Sequence, residues 1–413
     1  VATEAQANEP QQVGPWPKGV NNRLRASEIS KEELVDALNL DITNTGRVLR
    51  RTGSVRVHSG EAHSLAAAHG RLYWVEGSQL YRNTSSPAVV DPGPISLPLS
   101  YVLINNELWW SNISRSGRVV DGSPPTNYPW VPTTPPTPTI AATTPGQMYA
   151  GRYLVSCTFE FSDLREGGAP IPAVIALAAD QAIQVTLPQP PQPEVTNIRV
   201  YVSDPNGEQL YFEGKYPVGT TSAVIQRAHR GRMLETLLMD PMPNGNMLAQ
   251  LDGRNYSVRG NTVWFSHPFR FGLMHAASNF VMFPSDVKIF LPCVEGVWIV
   301  ADQTYWWDNR DPKKAKLVAQ NEDDAVPGTG IILPRDQGVA WFGERGWMLG
   351  SADGKLSAAM DAQVAVHKYA RGAAMFREQR GIRQVVSSLQ QEGIRTKFAA
   401  SDYMDAEIVR NKP

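Results

Sequence analysis

The chain reads as an all-β protein: a five- or six-bladed β-propeller carrying an inserted immunoglobulin/fibronectin III-like β-sandwich. Three observations predict this. A glycine-and-aromatic hairpin pattern recurs, most copies fall 36 to 43 residues apart, and one interval is far longer. The composition agrees, because 33 Gly, 32 Pro and 11 Trp suit tight turns and aromatic strands better than long helices.

The pattern is plainest in Gly253–Phe265 and Gly296–Trp307. Each starts with glycine, runs through an apolar or aromatic strand, turns on polar residues and returns through a second aromatic strand. Gly70–Tyr81, Asn106–Val120 and Gly338–Leu349 repeat it. The intervals between first residues are 36 from Gly70 to Asn106, 43 from Gly253 to Gly296 and 42 from Gly296 to Gly338. Four-stranded propeller blades repeat at about 40–50 residues. Asn106 to Gly253 is 147, and removing one 42-residue repeat leaves 105, the size of an immunoglobulin-like sandwich.

Taken in order, residues 1–38 are an N-terminal arm and short helix. The arm is polar to Val13, Trp16 sits in an irregular segment, and Ser30–Leu38 has a capping serine with Glu33 three residues on. Residues 39–130 are the first propeller part, opening with a hairpin from Asn39 to Val57 that turns at Asn44-Thr45-Gly46. Arg47, Arg50 and Arg51 cluster there, as a solvated edge or as a partner or nucleic-acid contact. Residues 131–230 are the inserted sandwich, entered through a Pro/Thr-rich linker from Tyr128 to Pro145. Its strands are expected at Gly151–Phe161, Ala173–Ala178, Ile183–Leu187, Val195–Val202, Gln209–Phe212 and Ser222–Ile225. Residues 231–413 are the second propeller part. It ends in strands at Tyr369–Phe376, Ile382–Leu389 and Glu407–Arg410, which with the N-terminal hairpin would close the ring.

The chemistry expected of the chain is sparse. A net charge of −1 gives none of the basic excess of a nucleic-acid binder. Cys157 and Cys293 fall in different predicted domains and read as buried thiols. No apolar run reaches the ~18 residues of a bilayer span, and residues 1–12 lack the apolar core of a signal peptide. A soluble protein made in the cytosol, without membrane insertion, is expected. The seven histidines (58, 63, 69, 229, 267, 275 and 367) are scattered, and no H-E-x-x-H, G-x-S-x-G or Walker pattern occurs. No catalytic residue, cofactor or metal is expected. Asn321-Glu-Asp-Asp324 reads as a loop rather than a cation site, and Glu160, Asp163 and Glu166 would form a glycosidase pair only by coincidence of folding. Trp109-Trp110 and Trp306-Trp307 each send one ring to either face of a strand. Both rings of a pair read first as core, with Trp110 and Trp307 as the candidates for stacking on a sugar or partner.

Gly14–Arg23, Ala37–Asp41 and Arg50–Ser54 together resemble an N-terminal signature of bacteriophage tail proteins. Gly253–Tyr256, Val263–Pro268, Phe283–Asp286 and Gly296–Val300 are similar to blades of tail-hub and tail-nozzle proteins, and Gly151–Tyr153 with Ile198–Tyr201 resembles the fibronectin-like module that interrupts them. The resemblance implies a structural virion protein without enzymatic activity, assembled in the host cytoplasm and located in the tail. It implies a homo-oligomer, with a hexamer favoured, around the DNA exit channel below the head-to-tail connector. Its partners would be the connector or adaptor protein and tail fibres or other tail proteins, with double-stranded DNA passing non-specifically. The other readings are a glycan- or protein-binding propeller and a propeller glycosidase or lyase.

Overall fold

The computed structural model describes residues 14–37, 40–43, 45–51, 60–83, 87–121, 126–321, 324–359, 369–379 and 382–391. Among them there are strands and turns but no helix, so the protein is all-β. Two compact units divide the chain: Ala62–Asp286, and the segments on either side of it.

In the flanking unit, β1 (Gly19–Val20) pairs in parallel with β2 (Glu33–Leu34). This corrects the helix expected over Ser30–Leu38. The capping contacts do form: Ser30 N–H donates to Glu33 Oε2 at 3.0 Å, and Glu32 N–H donates to Ser30 Oγ at 3.1 Å. They close a single turn, after which the backbone of Glu33 and Leu34 pairs with β1 instead of propagating a helix. One helical turn is a costly nucleus, and strand pairing here supplies the alternative. Next, β3 (Leu40–Ile42) and β4 (Val48–Arg50) form the expected hairpin. The expected residues 1–13, Leu38, Asn44, Val55, Val57 and Glu407–Arg410 lie outside the described residues.

The central unit holds three four-stranded meanders, each hydrogen-bonded mainly in sequence order. The first is β5 (Ala62–Ala68), β6 (Arg71–Glu76), β7 (Gln79–Arg82) and β8 (Ala88–Asp91). The second is β9 (Ser100–Ile104), β10 (Glu107–Ser111), β11 (Ser116–Val120) and β12 (Thr126–Tyr128). Two sheets come next that share one hydrophobic core. Their strands are β13 (Thr139–Met148), β14 (Gly151–Phe161), β15 (Ala173–Leu177), β16 (Gln181–Thr186), β17 (Val195–Ser203), β18 (Leu210–Pro217) and β19 (Ser222–Ile225). One sheet runs β13-β16-β19 and the other β15-β14-β17-β18. The Pro/Thr-rich segment expected as linker is therefore strand from Thr139 onward, because its alternating residues pair with β16. After β20 (Asp240–Pro241), the third meander is β21 (Met247–Leu251), β22 (Arg254–Arg259), β23 (Thr262–Phe265) and β25 (Phe280–Met282). A short β24 (Leu273–Met274) pairs with β20.

The first two strands of each of these meanders are joined by a two-residue turn with both central φ angles positive: His69-Gly70, Asn105-Asn106 and Asp252-Gly253. That is the type I′ geometry whose twist matches a hairpin. The residue that opens each of these three repeats, Gly70, Asn106 or Gly253, is thus the second turn residue. Neighbouring meanders pack by their faces. Tyr73, Val75 and Leu80 of the first lie in one cluster with Leu108, Trp110 and Val119 of the second. Trp109 and Ile104, on the other face of the second, join Leu248 and Trp264 of the third.

The flanking unit resumes with β26 (Ile289–Pro292), β27 (Val297–Val300), β28 (Thr304–Trp307) and β29 (Leu317–Asn321), a fourth meander. A fifth is built from β30 (Ile331–Ile332), β31 (Val339–Gly343), β32 (Gly346–Gly350) and β33 (Leu356–Ala358). Trp298, Trp306 and Trp341 lie in the one core of this pair, the Trp298 ring centred 5.0 Å from Trp306 and 5.8 Å from Trp341. Last comes the long hairpin of β34 (Tyr369–Gln379) and β35 (Ile382–Gln391), where strands were expected. It is fixed to the fifth meander by Gly372 N–H donating to Pro327 O at 2.9 Å.

That crossing depends on Gly328, whose φ is +84° and on which a Cβ would stand 2.2 Å from Gly372 O. Gly328→Ala and Gly70→Ala both place alanine in the left-handed region, at a cost of about 1–2 kcal/mol each. Nothing lies within 4 Å of a Cβ on Gly70, so the chemical denaturation midpoint should fall further for Gly328→Ala.

Candidate functional site

The basic trio expected on the first hairpin divides in the structure. Arg47 and Arg50 are exposed, whereas Arg51 donates from Nε to Asp41 Oδ1 at 3.2 Å. Asp41 also accepts from Arg377 at 2.9 Å and from Gln384 at 3.4 Å, so it ties the N-terminal hairpin to β34 and β35. Burial alone would raise the Asp41 carboxyl, but hydrogen bonds from Arg51, Gln384 and Arg377 outweigh it and hold it below its ordinary value. Trp16 is half-buried beside this hairpin, its backbone N–H donating to Gly46 O at 2.8 Å. Trp16, Arg47 and Arg50 are therefore the expected contact residues that remain accessible.

Trp110 and Trp307 are not. Trp110 has no exposed surface, and its indole N–H donates to Asn127 Oδ1 at 3.0 Å. Trp307 is 3% exposed. In this chain neither ring is open to a sugar or to a partner. Both members of each Trp pair are buried because both faces of their meanders are covered.

The acidic residues weighed as a glycosidase pair are held in ion pairs. Glu160, 2% exposed, accepts from Arg199 at 3.0 Å and Lys215 at 2.9 Å. Glu166 accepts from the Thr158 and Tyr201 hydroxyls, each at 2.6 Å. Burial, and then the Glu166 charge, push the Tyr201 hydroxyl well up, so it donates rather than ionises. Asp163 pairs with Arg118. Asp324, from the acidic run, accepts from Lys288 at 2.6 Å, while Glu322 and Asp323 lie outside the described residues. Among the described residues, no group of three or more His, Cys, Asp or Glu could hold a metal ion.

The densest polar cluster was not foreseen. The Arg118 side chain is fully buried on β11 and donates to Glu107 Oε1 at 3.0 Å, to Asp163 and to Pro129 O at 3.2 Å. Its guanidinium lies 4.7 Å from the Tyr128 ring centre. Arg165 donates to both Glu107 oxygens, at 3.1 and 3.0 Å, and stands over Trp109 at 5.4 Å. Burial, followed by repulsion from Arg118, lowers the Arg165 pKa. Asp163 and Arg165 come from the turn after β14, so this cluster pins the two-sheet region to the second meander. The sequence signal was a charge inside an apolar strand, Gly117-Arg118-Val119, which survives burial only when paired.

Removing one partner of such a pair strands the others. Arg118→Met should cost about 3 kcal/mol in urea denaturation, while Lys355→Met, which breaks an exposed pair with Asp353, should leave the midpoint unchanged. For Asp41, a depressed folded pKa means its contribution is present above the unfolded value of about 3.9 and is lost as pH falls through the folded value. Hydrogen exchange of the β34–β35 amides should therefore accelerate below about pH 4, and Asp41→Asn should remove that step.

No family model matches the chain, and no curated protein matches it. Among solved structures it is similar to one described as "AfRom2 CNH domain", with 10% sequence identity over 71% of this chain and 92% of that chain. The TM-score is 0.18, a value that carries no weight for fold or function.

Proposed function

We propose that this chain is a structural protein of a bacteriophage tail, a nozzle or hub subunit built as a β-propeller with an inserted fibronectin-like sandwich. The observation that carries the architecture is the packing of the third meander on the second. The chain leaves after Tyr128, builds two sheets, and returns at Met247 to continue the stack. An insertion between two blades accounts for that path.

The larger sheet of the insert supports the fibronectin-like reading. Its order β15-β14-β17-β18 corresponds to C′-C-F-G, with β13 and β16 as B and E. Here β19 lies beside β16, and among the described residues no A strand pairs with β13. Five four-stranded meanders plus the two terminal hairpins tied through Asp41 supply six blade equivalents, the last shared between the chain ends. Joining first and last strands in one blade is how a propeller avoids open sheet edges.

The tail assignment rests on the resemblance of Gly14–Arg23, Ala37–Asp41 and the blade segments. In it the subunits form a ring, with a hexamer favoured, around the DNA exit channel. The ring contacts the connector, and the inserted sandwich offers a face to fibres or other tail proteins. No enzymatic step is assigned to it. A net charge of −1 suits a conduit, since a basic lumen would hold DNA through its phosphates. Trp16, Arg47 and Arg50 are the accessible residues assigned to partner or lumen contacts. The glycan-binding alternative loses its two platforms with the burial of Trp110 and Trp307.

Mass photometry and negative-stain microscopy of the purified full chain should show rings, and mass spectrometry should find the protein in purified virions. A strictly monomeric protein that is missing from the particles would sink the proposal.

A further inference from the structure

The larger sheet of the two-sheet region sends Phe159, Phe161, Ile198 and Val200 into the shared core. Its other face brings together an amine, a carboxamide and a carboxylate. Glu160 on β14 lies directly opposite Asn197 on β17, Arg199 lies opposite Lys215 on β18, and Asn197 lies opposite Pro217. Asn197 and Lys215 are therefore diagonal neighbours across one strand pair, within reach of long side chains.

The contacts are specific. Lys215 Nζ donates to Glu160 Oε1 at 2.9 Å, and Asn197 Nδ2 donates to the same oxygen at 3.3 Å. Asn197 Nδ2 also donates to Thr196 Oγ1 at 2.9 Å, which holds the carboxamide with its nitrogen toward the carboxylate. Arg199 takes the second oxygen, Glu160 Oε2, at 3.0 Å. A guanidinium does not give up its proton, so Lys215 is the one of these two cations that can. An ammonium and a carboxamide on one carboxylate oxygen are placed for proton relay between them, and holding two reactants together replaces a bimolecular encounter.

We propose that Lys215 and Asn197 join through an isopeptide bond, with Glu160 as the catalytic proton relay. Glu160 takes a proton from the Lys215 ammonium, and the freed amine attacks Asn197 Cγ. The new Nζ–Cγ bond forms, the Cγ–Nδ2 bond breaks, and Glu160 passes to Nδ2 the first proton and a second drawn from the attacking nitrogen. Nitrogen leaves as ammonium, one hydrogen stays on the new amide, and Glu160 returns to carboxylate. No atom is oxidised or reduced and no co-reactant is consumed. The bond would staple β17 to β18 beside Pro217, which has no N–H to give to the strand ladder. The inference does not depend on the tail reading.

The test is the intact mass of the denatured full chain after incubation of the folded protein at mildly alkaline pH. The wild type should be lighter than its sequence by one ammonia. A tryptic digest should yield a branched peptide in which Lys215 is uncut and carries the Asn197 segment; a succinimide loses the same mass but gives no branch. Lys215→Met, at a side chain 42% exposed, should keep the fold by circular dichroism and show the full mass and linear peptides. Glu160→Gln should do the same. Should Glu160→Gln not fold, Glu160→Asp draws the carboxylate back and should slow bond formation about tenfold or more. A wild type of full sequence mass without the branched peptide overturns the bond. Branched peptide formed at the wild-type rate in a Glu160 variant overturns the relay.

Discussion

A sheet with apolar faces must bury them against another element, and the structure depends on how the faces of its four-stranded sheets are covered. The second meander shows the solution. Trp109 and Trp110 are neighbours on β10, so they point to opposite faces, and both have no exposed surface. One packs toward the third meander and the other toward the first. A sheet stacked on both sides loses the alternation of apolar and polar residues that marks a half-exposed strand. Hence the run Leu108-Trp109-Trp110, and hence Val297–Val300, buried throughout. Trp298, Trp306 and Trp341 serve the fourth and fifth meanders in the same way.

Where a face meets a loop of the two-sheet region instead of another meander, charge replaces apolar contact. Arg118 sits opposite Trp109 in the sheet register, at a position where a stacked sheet would place an apolar residue. Burying it requires partners for its donors, and Glu107, Asp163 and Pro129 O supply them. An apolar set of the same volume could match the stability. It would not fix the direction of approach, which is what Arg165 Nη2, donating to both Glu107 oxygens, does. The second ion-pair network, around Glu160 and Arg199, lies within the larger sheet and braces β14 against β17 and β18.

Much of this was legible from residues. The turn glycines gave the repeat, because a type I′ turn needs positive φ at Gly70 and Gly253 whatever the context. The repeat in turn located the excursion between Asn106 and Gly253. Gly296 shows the limit of that logic. It opens a repeat as Gly253 does, yet its role is a close approach, since a Cβ there would stand 2.1 Å from Trp307 O. The helix at Ser30 failed for a different reason. A capping box specifies a turn, and the path of the chain beyond that turn is decided by pairing with β1, which local sequence does not announce. The Thr139–Met148 strand was hidden by proline and threonine, although threonine favours strands. Asp41 and Arg377 lie 336 positions apart, and no local pattern connects them.

Edges carry a different kind of information from faces. In the first meander the outer strand β8 ends in Asp91, which is buried beneath Arg115 and Asn127 of the second meander. The end of that edge, Val90 and Asp91, is buried by contacts within the chain, while Val89 is exposed. In β29 the same position in the same kind of sheet has Leu317, Val318, Ala319 and Gln320 in contact with solvent. Faces are saturated by tryptophan packing, and the freedom left to distinguish one meander from the next lies in what its last strand meets. For a protein whose proposed role is assembly, unclosed edges are where that role would have to be written.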